Sequence, residues 1–268
     1  MILSSAPPKI QLPFAASGSK NTIPITTGTP GAASYTAGFP PVTMQPVSGG
    51  GIPPSGLDFN GILNETSAID NWVSAGAGFQ FDSVFAAAIG GYPQSARVVN
   101  AAGTGYWRSI IDNNSNNPDT GGAGWVPDSM RAAASVYASA QQTLGTGNSK
   151  VLWNTVEQDT FGLWDATDKR FVALWAGFFR LSGAIYLPAP AAQNLSASVY
   201  KNGSLAKQCS QFPQVSNVPL SYAFDAVVLC AVNDYLEAFM NVPDASVLAG
   251  QVGSNQAYVF GQIEYMGI

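Results

Sequence analysis

The chain has 268 residues, 46% of them hydrophobic and only 10% charged, with a formal net charge of −5 and no histidine. That length suits about two domains. The negative balance without a basic cluster excludes nucleic acid as a partner, and no run of 18 apolar residues offers a membrane-spanning helix. The missing histidine removes Ser-His-Asp and Cys-His nucleophiles, histidine bases and most zinc enzymes.

Residues 1–57 hold few charges and much Pro, Gly and Thr, but also Phe14, Ile23, Ile25, Tyr35, Phe39 and Val42. Disorder goes with high charge and few aromatics, so this stretch is expected to be an extended arm that orders against something else. The opening "MILSSAPPKIQLPF" lacks the basic and long apolar regions of a signal peptide. In a chain without an export signal, Cys209 and Cys230 are expected to be buried free thiols, although two cysteines can also pair.

Residues 58–127 read as a small α+β module. Asp58 is placed to cap a helix carrying Phe59, Ile62, Leu63, Ile69, Trp72 and Val73, stopped by "GAG" after Ala75. Asp82 is placed to cap a shorter helix with Val84, Phe85, Ala88 and Ile89. "ARVVN" and "YWRSIIDN" read as strands. The loop "DNNSNNPDTGGA" from Asp112 has the first positions of a calcium loop, but Asn117 stands where Gly is required and Ala123 where a bidentate Glu belongs. An Asx-stabilised turn is the better reading. In residues 128–149, Met130, Ala134, Tyr137, Gln141 and Leu144 fall at spacings of 4, 3, 4 and 3, which predicts a linker helix or short coiled coil.

Residues 150–268 turn to β texture, with eight strand-like runs and the hairpin turn "KNGS" at Lys201–Ser204. The expected fold is mainly β: a small α+β module followed by a jelly-roll β-sandwich. In "GFFRLSGAIYL", Phe179, Leu181, Ile185 and Leu187 share one face, and Phe178, Arg180 and Tyr186 the other. In the last strand Val259, Ile263 and Tyr265 oppose Phe260, Gln262 and Glu264. "AVVLCAV" from Ala226 is apolar on both faces. Sheets with a second apolar face signal partners. The carboxylate pairs Glu157/Asp159 and Asp165/Asp168 lie in solvated edge and turn sequence, so a glycosidase dyad is a poor reading and no enzyme is expected. Neither a cofactor nor a metal is expected.

"KIQLPFAASGSKNTIP", "ASYTAGFPPVTMQPVSGGGIPPSGLDFNGIL", "AAAIGGYP" and "DNNSNNPDTGGAGW" together resemble the virion-proximal module of tail fibre proteins of tailed bacteriophages, over roughly residues 9–127. "RFVALWAGFFRLSGAIY", "SVYKNGS" and "VFGQIEY" resemble the complement globular-head and tumour-necrosis-factor jelly rolls, which also cap phage fibres. The resemblance implies a homotrimer in the virion tail, assembled in the bacterial cytoplasm. It would be fastened to a tail or baseplate protein by its N-terminal half, without membrane insertion or nucleic acid. It further implies a trimer interface through Phe178, Tyr186, Val228, Cys230, Val232 and Phe260. The "KNG" and "ND" turns would face the stalk, leaving distal loops at 188–194, 211–219 and 243–255. Contact with a host cell-surface glycan or protein is then expected through Gln193, Asn194, Phe212, Gln214, Asn217, Gln251 and Asn255. A purely structural baseplate or tail-tip component is the alternative. A polysaccharide depolymerase using Glu157 and Asp159 is the more distant one.

Overall fold

The computed structural model describes residues 6–188, 193–214, 218–242, 246–248 and 258–267, and the chain divides into two units, 1–80 and 81–268.

The first unit is an arm laid along one helix, α1 (Gly56–Ser74). Ser55, not Asp58, caps it: the Ser55 hydroxyl accepts from the Leu57 amide. Asp58 is instead 3% exposed and holds the arm, its Oδ1 accepting from Asn21 Nδ2 at 2.6 Å and its Oδ2 from the Ala33 amide at 2.8 Å. A polar stripe continues the clamp. Asn60, Asn64 and Asn71 donate to the carbonyls of Ser19, Phe14 and Ile10, and Ser67 accepts from the Phe14 amide. These positions are spaced 4, 3 and 4 apart, so they line one helix face. At Gly61 an added Cβ would lie 2.1 Å from the Asn21 carbonyl oxygen, so only glycine lets the arm come this close. Among the described residues of this unit only Ile23 and Ala33 are buried apolar side chains. The arm does order against a partner, and the partner is α1.

In the second unit α2 (Ser83–Ile89) starts as expected, with Asp82 Oδ1 accepting from the Val84 and Phe85 amides. Strands β1 (Arg97–Val99), β2 (Tyr106–Ser109) and β3 (Trp125–Asp128) pair antiparallel around Val98, Trp107 and Trp125. The 112–124 loop spends its Asx side chains on itself. Asn114 is buried and donates to the Gly124 carbonyl, Asn116 donates to Ala123, and Asn117 accepts from the Asp119 amide.

Residues 128–149 contain no helix. They form β4 (Ala133–Tyr137), β5 (Gln142–Leu144) and β6 (Gly147–Lys150). Ala132, Ala134, Val136 and Ala138 are buried in strict alternation, the period of a strand. The expected linker helix is therefore corrected: three alanines masked this alternation, and pairing of β4 with the C-terminal strand overrode the coincidental 4-3 spacing. The sandwich accordingly begins near Ala132 rather than at residue 150.

The remaining strands are β7 (Thr155–Asp159), β8 (Trp164–Asp165), β9 (Arg170–Val172), β10 (Gly177–Leu187), β11 (Gln193–Lys201), β12 (Ser204–Gln214), β13 (Leu220–Cys230), β14 (Tyr235–Val242), β15 (Ser246–Leu248) and β16 (Phe260–Gly267). One sheet has the order β13-β10-β16-β4-β7, the other β12-β11-β14-β9-β8, with β6 also on β14 and β15 paired to β5. This is a jelly-roll sandwich. The run "KVLWNTVEQ" crosses between the sheets: the Val151 amide bonds Ala238 in one and the Asn154 amide bonds Tyr137 in the other. Trp153, fully buried at the crossing, packs against Trp164, Phe171 and Phe224 with ring centroids 5.7–6.2 Å apart. Phe179, Leu181, Ile185 and Leu187 are all fully buried beside it, on the face of β10 that their alternation predicts. The "KNG" hairpin turn has φ of +51° at Asn202 and +75° at Gly203, the region an Asn-Gly turn supplies.

Candidate functional site

The outer face of the sheet β13-β10-β16-β4-β7 is laid out in layers by its register. At one end Phe178 on β10 lies opposite Leu229 on β13, and both are about half exposed. Next, Arg180 sits between Val227 and Glu264, and then Ser182 between Asp225 and Gln262. Farther along, Ala184 lies between Ala223 and Phe260, with Tyr137 beyond on β4. Tyr186 closes the far end, its ring 5.3 Å from that of Tyr258. The face is thus apolar at one end, charged in the middle and aromatic at the other.

The charged middle is internally paired. Arg180 Nε donates to Asp225 Oδ1 at 2.8 Å and Nη2 to Oδ2 at 2.5 Å, a two-pronged pair across neighbouring strands. That guanidinium holds the Asp225 carboxyl below the usual carboxylate range. Arg131 pairs with Glu264 at 3.3 Å, and Ser135 donates to Glu157 Oε2 at 2.8 Å. Arg131, Ser135, Glu157, Arg180 and Glu264, with Ser182 and Gln262, line a shallow groove of about 510 Å³. Both main ion pairs are roughly half exposed, so in a single chain each contributes little to stability.

The expected interface residues divide by strand parity. Phe178, Tyr186 and Phe260 lie on this outer face. Val228 and Cys230 do not: they are 7% and 2% exposed and point into the sandwich core with Phe224 and Ala226. The outward row of β13 is Ala223, Asp225, Val227 and Leu229, which the sequence reading missed by one position. Val232 is exposed but sits in the turn after β13, off the sheet. Both cysteines are free thiols; Cys230 is buried and Cys209 half-buried. Burial raises the Cys230 thiol to about 11, with the Asp234 charge adding to the effect.

The expected receptor residues are placed differently from a loop. Gln193 and Asn194 open β11, and Phe212 and Gln214 lie in the last residues of β12. Their backbones pair across the hairpin, Gln193 with Gln214 and Leu195 with Phe212, at the end remote from the Lys201–Ser204 turn. Asn194 is exposed. Asn217, Gln251 and Asn255 lie outside the described residues. The opposite end is fastened by polar contacts: Asn202 Nδ2 donates to Asp234 Oδ1 at 2.7 Å, and Asn202 Oδ1 accepts from the Tyr235 amide at 2.9 Å. The "KNG" and "ND" turns therefore share one end of the sandwich.

The Glu157/Asp159 pair is not arranged as a dyad. Asp159 Oδ1 accepts from the Gly162 and Leu163 amides and Oδ2 from the Trp164 amide at 2.8–3.0 Å, so this carboxylate organises a turn. Asp165 likewise accepts from the Asp168 and Thr167 amides and from Arg170, and its carboxyl is held down chiefly by the Asp168 amide. Among the described residues no three Cys, Asp or Glu side chains group as metal ligands.

No protein-family model matches the chain. A stretch of 134 residues, 46% of this chain, is 31% identical to the phage-like element PBSX protein XkdV of Bacillus subtilis (strain 168), and the match covers 19% of that protein's length. The chain is thus related in sequence to part of a phage-element protein. Among solved structures it is similar to Eiger TNF from S. frugiperda (TM-score 0.41, 13% identity, 51% of this chain and 93% of that one). It is also similar to murine APRIL (0.41, 11%, 51% and 100%) and to the globular domain of zebrafish complement 1qA (0.37, 14%, 50% and 95%).

Proposed function

We propose that the protein is a non-enzymatic component of a phage tail, a trimeric fibre or receptor-binding protein. Its first unit would fasten it to the tail or baseplate, and its jelly roll would meet the host surface. The relation to a phage-element protein supports a virion role. The observation that carries the assembly reading is the outer face of the five-stranded sheet. Phe178, Val227 and Leu229 at one end and Tyr186, Phe260 and Tyr258 at the other are apolar surface that a lone domain would bury if it could. Between them the Arg180–Asp225 and Arg131–Glu264 pairs would fix the register of neighbouring copies, since a mispaired charge in an interface costs more than a missed apolar contact.

Light scattering on the full-length protein tests the assembly. A mass three times that of one chain is expected, falling to one chain in Leu229→Glu, whose new charge is tolerated on a solvated face but not in a closed interface. A monomeric wild type overturns it. Host contact is tested by adsorption of labelled protein to bacteria. Rewriting residues 188–194, 211–219 and 243–255 together is expected to abolish adsorption and leave the trimer intact. Adsorption that survives all three changes overturns host contact through these loops.

A further inference from the structure

We infer that the second unit carries a binding cleft for a neutral saccharide, between the β1–β3 sheet and the turn end of the sandwich. The cleft measures about 470 Å³, within the roughly 300–1,000 Å³ of small-ligand sites. Its wall is aromatic. Trp107 and Trp125 are buried at the back, and Phe161 and Trp175 are half-buried in front. The rings of Trp107, Phe161 and Trp175 stand 5.7, 5.4 and 6.1 Å apart. Spacings this short fill the room between the rings, so the cluster is a continuous wall and not a cage that could enclose a cation.

The rest of the lining is largely apolar, with Ile110, Leu174 and Val232 among it, and carries only a few polar groups and almost no charge. Its polar side chains are Asn233 and Asp119, both exposed on the lining. Asp119 is fixed in place, its Oδ1 accepting from Trp107 Nε1 at 2.9 Å and from the Ala101 amide at 3.1 Å. Asp119 is the single ionisable residue of the lining and there is no Lys or Arg. A phosphorylated or carboxylated ligand would therefore meet a like charge with nothing to pair it. A ligand with one apolar ring face and a rim of hydroxyls fits such a lining: its C–H face lies against the aromatic and aliphatic wall, and its hydroxyls reach the Asn233 amide and the Asp119 carboxylate. This rests on the host-surface reading above for its biological sense, and adds a sugar contact beside the "ND" turn, the end expected to face the stalk, to the one proposed at the 193–214 strand end.

The test titrates full-length protein with neutral hexose and N-acetylhexosamine tetrasaccharides, following tryptophan fluorescence and saturation-transfer NMR. Saturable binding with a shift in the indole emission is expected. Trp175→Ala is expected to weaken it at least about tenfold, or about 1.4 kcal/mol. Because that change also removes ring packing, Asn233→Gly serves as the second variant. Asn233 has φ of +69°, which glycine accepts, so the fold is kept while the rim amide is lost. A severalfold loss is expected there. Absence of binding across the panel overturns the inference, as does binding unchanged in both variants. Adsorption to bacteria is measured separately. If Asn233→Gly loses oligosaccharide binding but still adsorbs, the cleft stands and the host-surface role assigned to it fails.

Discussion

Gly61 offers the sharpest test of how the first unit is held, because one substitution drives the helix and the arm in opposite directions. In the interior of a helix, Gly→Ala favours the helix by about 1 kcal/mol. At Gly61 the new Cβ would lie 2.1 Å from the Asn21 carbonyl oxygen, far inside contact distance, and the obstacle is backbone that cannot rotate aside. The arm must lift here. Three bonds fail together: Asn21 amide to Leu57 carbonyl, Asn21 Nδ2 to Asp58, and the Ala33 amide to Asp58. At roughly 0.5–1.5 kcal/mol net each, their loss costs about 2–4 kcal/mol. The helix gain is shared by the open and closed arm and cancels, so the full loss of about 2–4 kcal/mol raises the open population by roughly thirty- to a thousandfold. Limited trypsin digestion reads this at Lys20, next to the clamp, and hydrogen exchange reads it across residues 10–33. Cleavage after Lys20 should accelerate and exchange should rise by that factor, while far-UV circular dichroism shows α1 intact. Unchanged cleavage and exchange in Gly61→Ala would refute the idea that the Asn/Ser stripe and Asp58 hold the arm.

Two further outcomes follow from the second unit. Asp234 has its carboxyl held below 3.8, first by the Asn202 amide and then by the Ala231 amide. A depressed carboxylate stabilises fully above its unfolded value and loses that contribution as pH falls through the folded one. The thermal-midpoint advantage of wild type over Asp234→Asn should therefore be present near neutrality, begin to shrink only below the ordinary carboxylate value of 3.8, and be lost in stronger acid; a gap that does not shrink with acid would place the effect elsewhere. At Gly261 an added Cβ would meet the buried Trp153 ring at 2.6 Å, so Gly261→Ala should cost about 1–3 kcal/mol in urea unfolding. Trp153→Phe makes room and removes a buried indole N–H without a partner. Combined with Gly261→Ala it should give less than the sum of the two losses, and strict additivity would show that the two positions do not press on each other.

Legibility in the sequence tracked how strongly one local signal could be overridden. The Asp82 cap, the Asn202-Gly203 turn and the buried row of β10 were readable because each rests on its own residues. The stretch 128–149 was not. Alanine is neutral in the polar–apolar alternation of "AAASVYA", so β4 hid beneath a chance heptad until its long-range pairing with β16 decided the matter. The role of Asp58 was misread for a related reason. Three residues into a helix an aspartate looks like a cap, and only the returning arm, 25 and 37 residues away in sequence, reveals it as a clamp. The Asn60, Asn64, Ser67 and Asn71 stripe was visible at helical spacing, but polar stripes are ordinarily solvated. The aromatic cleft was beyond sequence altogether, since Trp107, Phe161 and Trp175 come from three separate segments.

The one-residue error on β13 has a different character, because the sequence contained the correction. Both rows of "FDAVVLCAV" are apolar enough to be buried, so hydrophobicity alone leaves the parity open. Asp225 closes it. A carboxylate cannot enter a sandwich core without a buried partner of comparable geometry, and the strand's neighbours inside are Phe179, Leu181 and Trp153. Asp225 must therefore point outward, and alternation then sends Val227 and Leu229 out with it and Phe224, Ala226, Val228 and Cys230 in. The Arg180 that meets Asp225 is on the neighbouring strand's outer row for the same reason. A single charge in an apolar strand thus fixes which of two similar faces is the core and which faces outward. On that argument the surface to perturb is Val227 and Leu229. Substitution of Val228 or Cys230 would damage the fold before it could report on assembly.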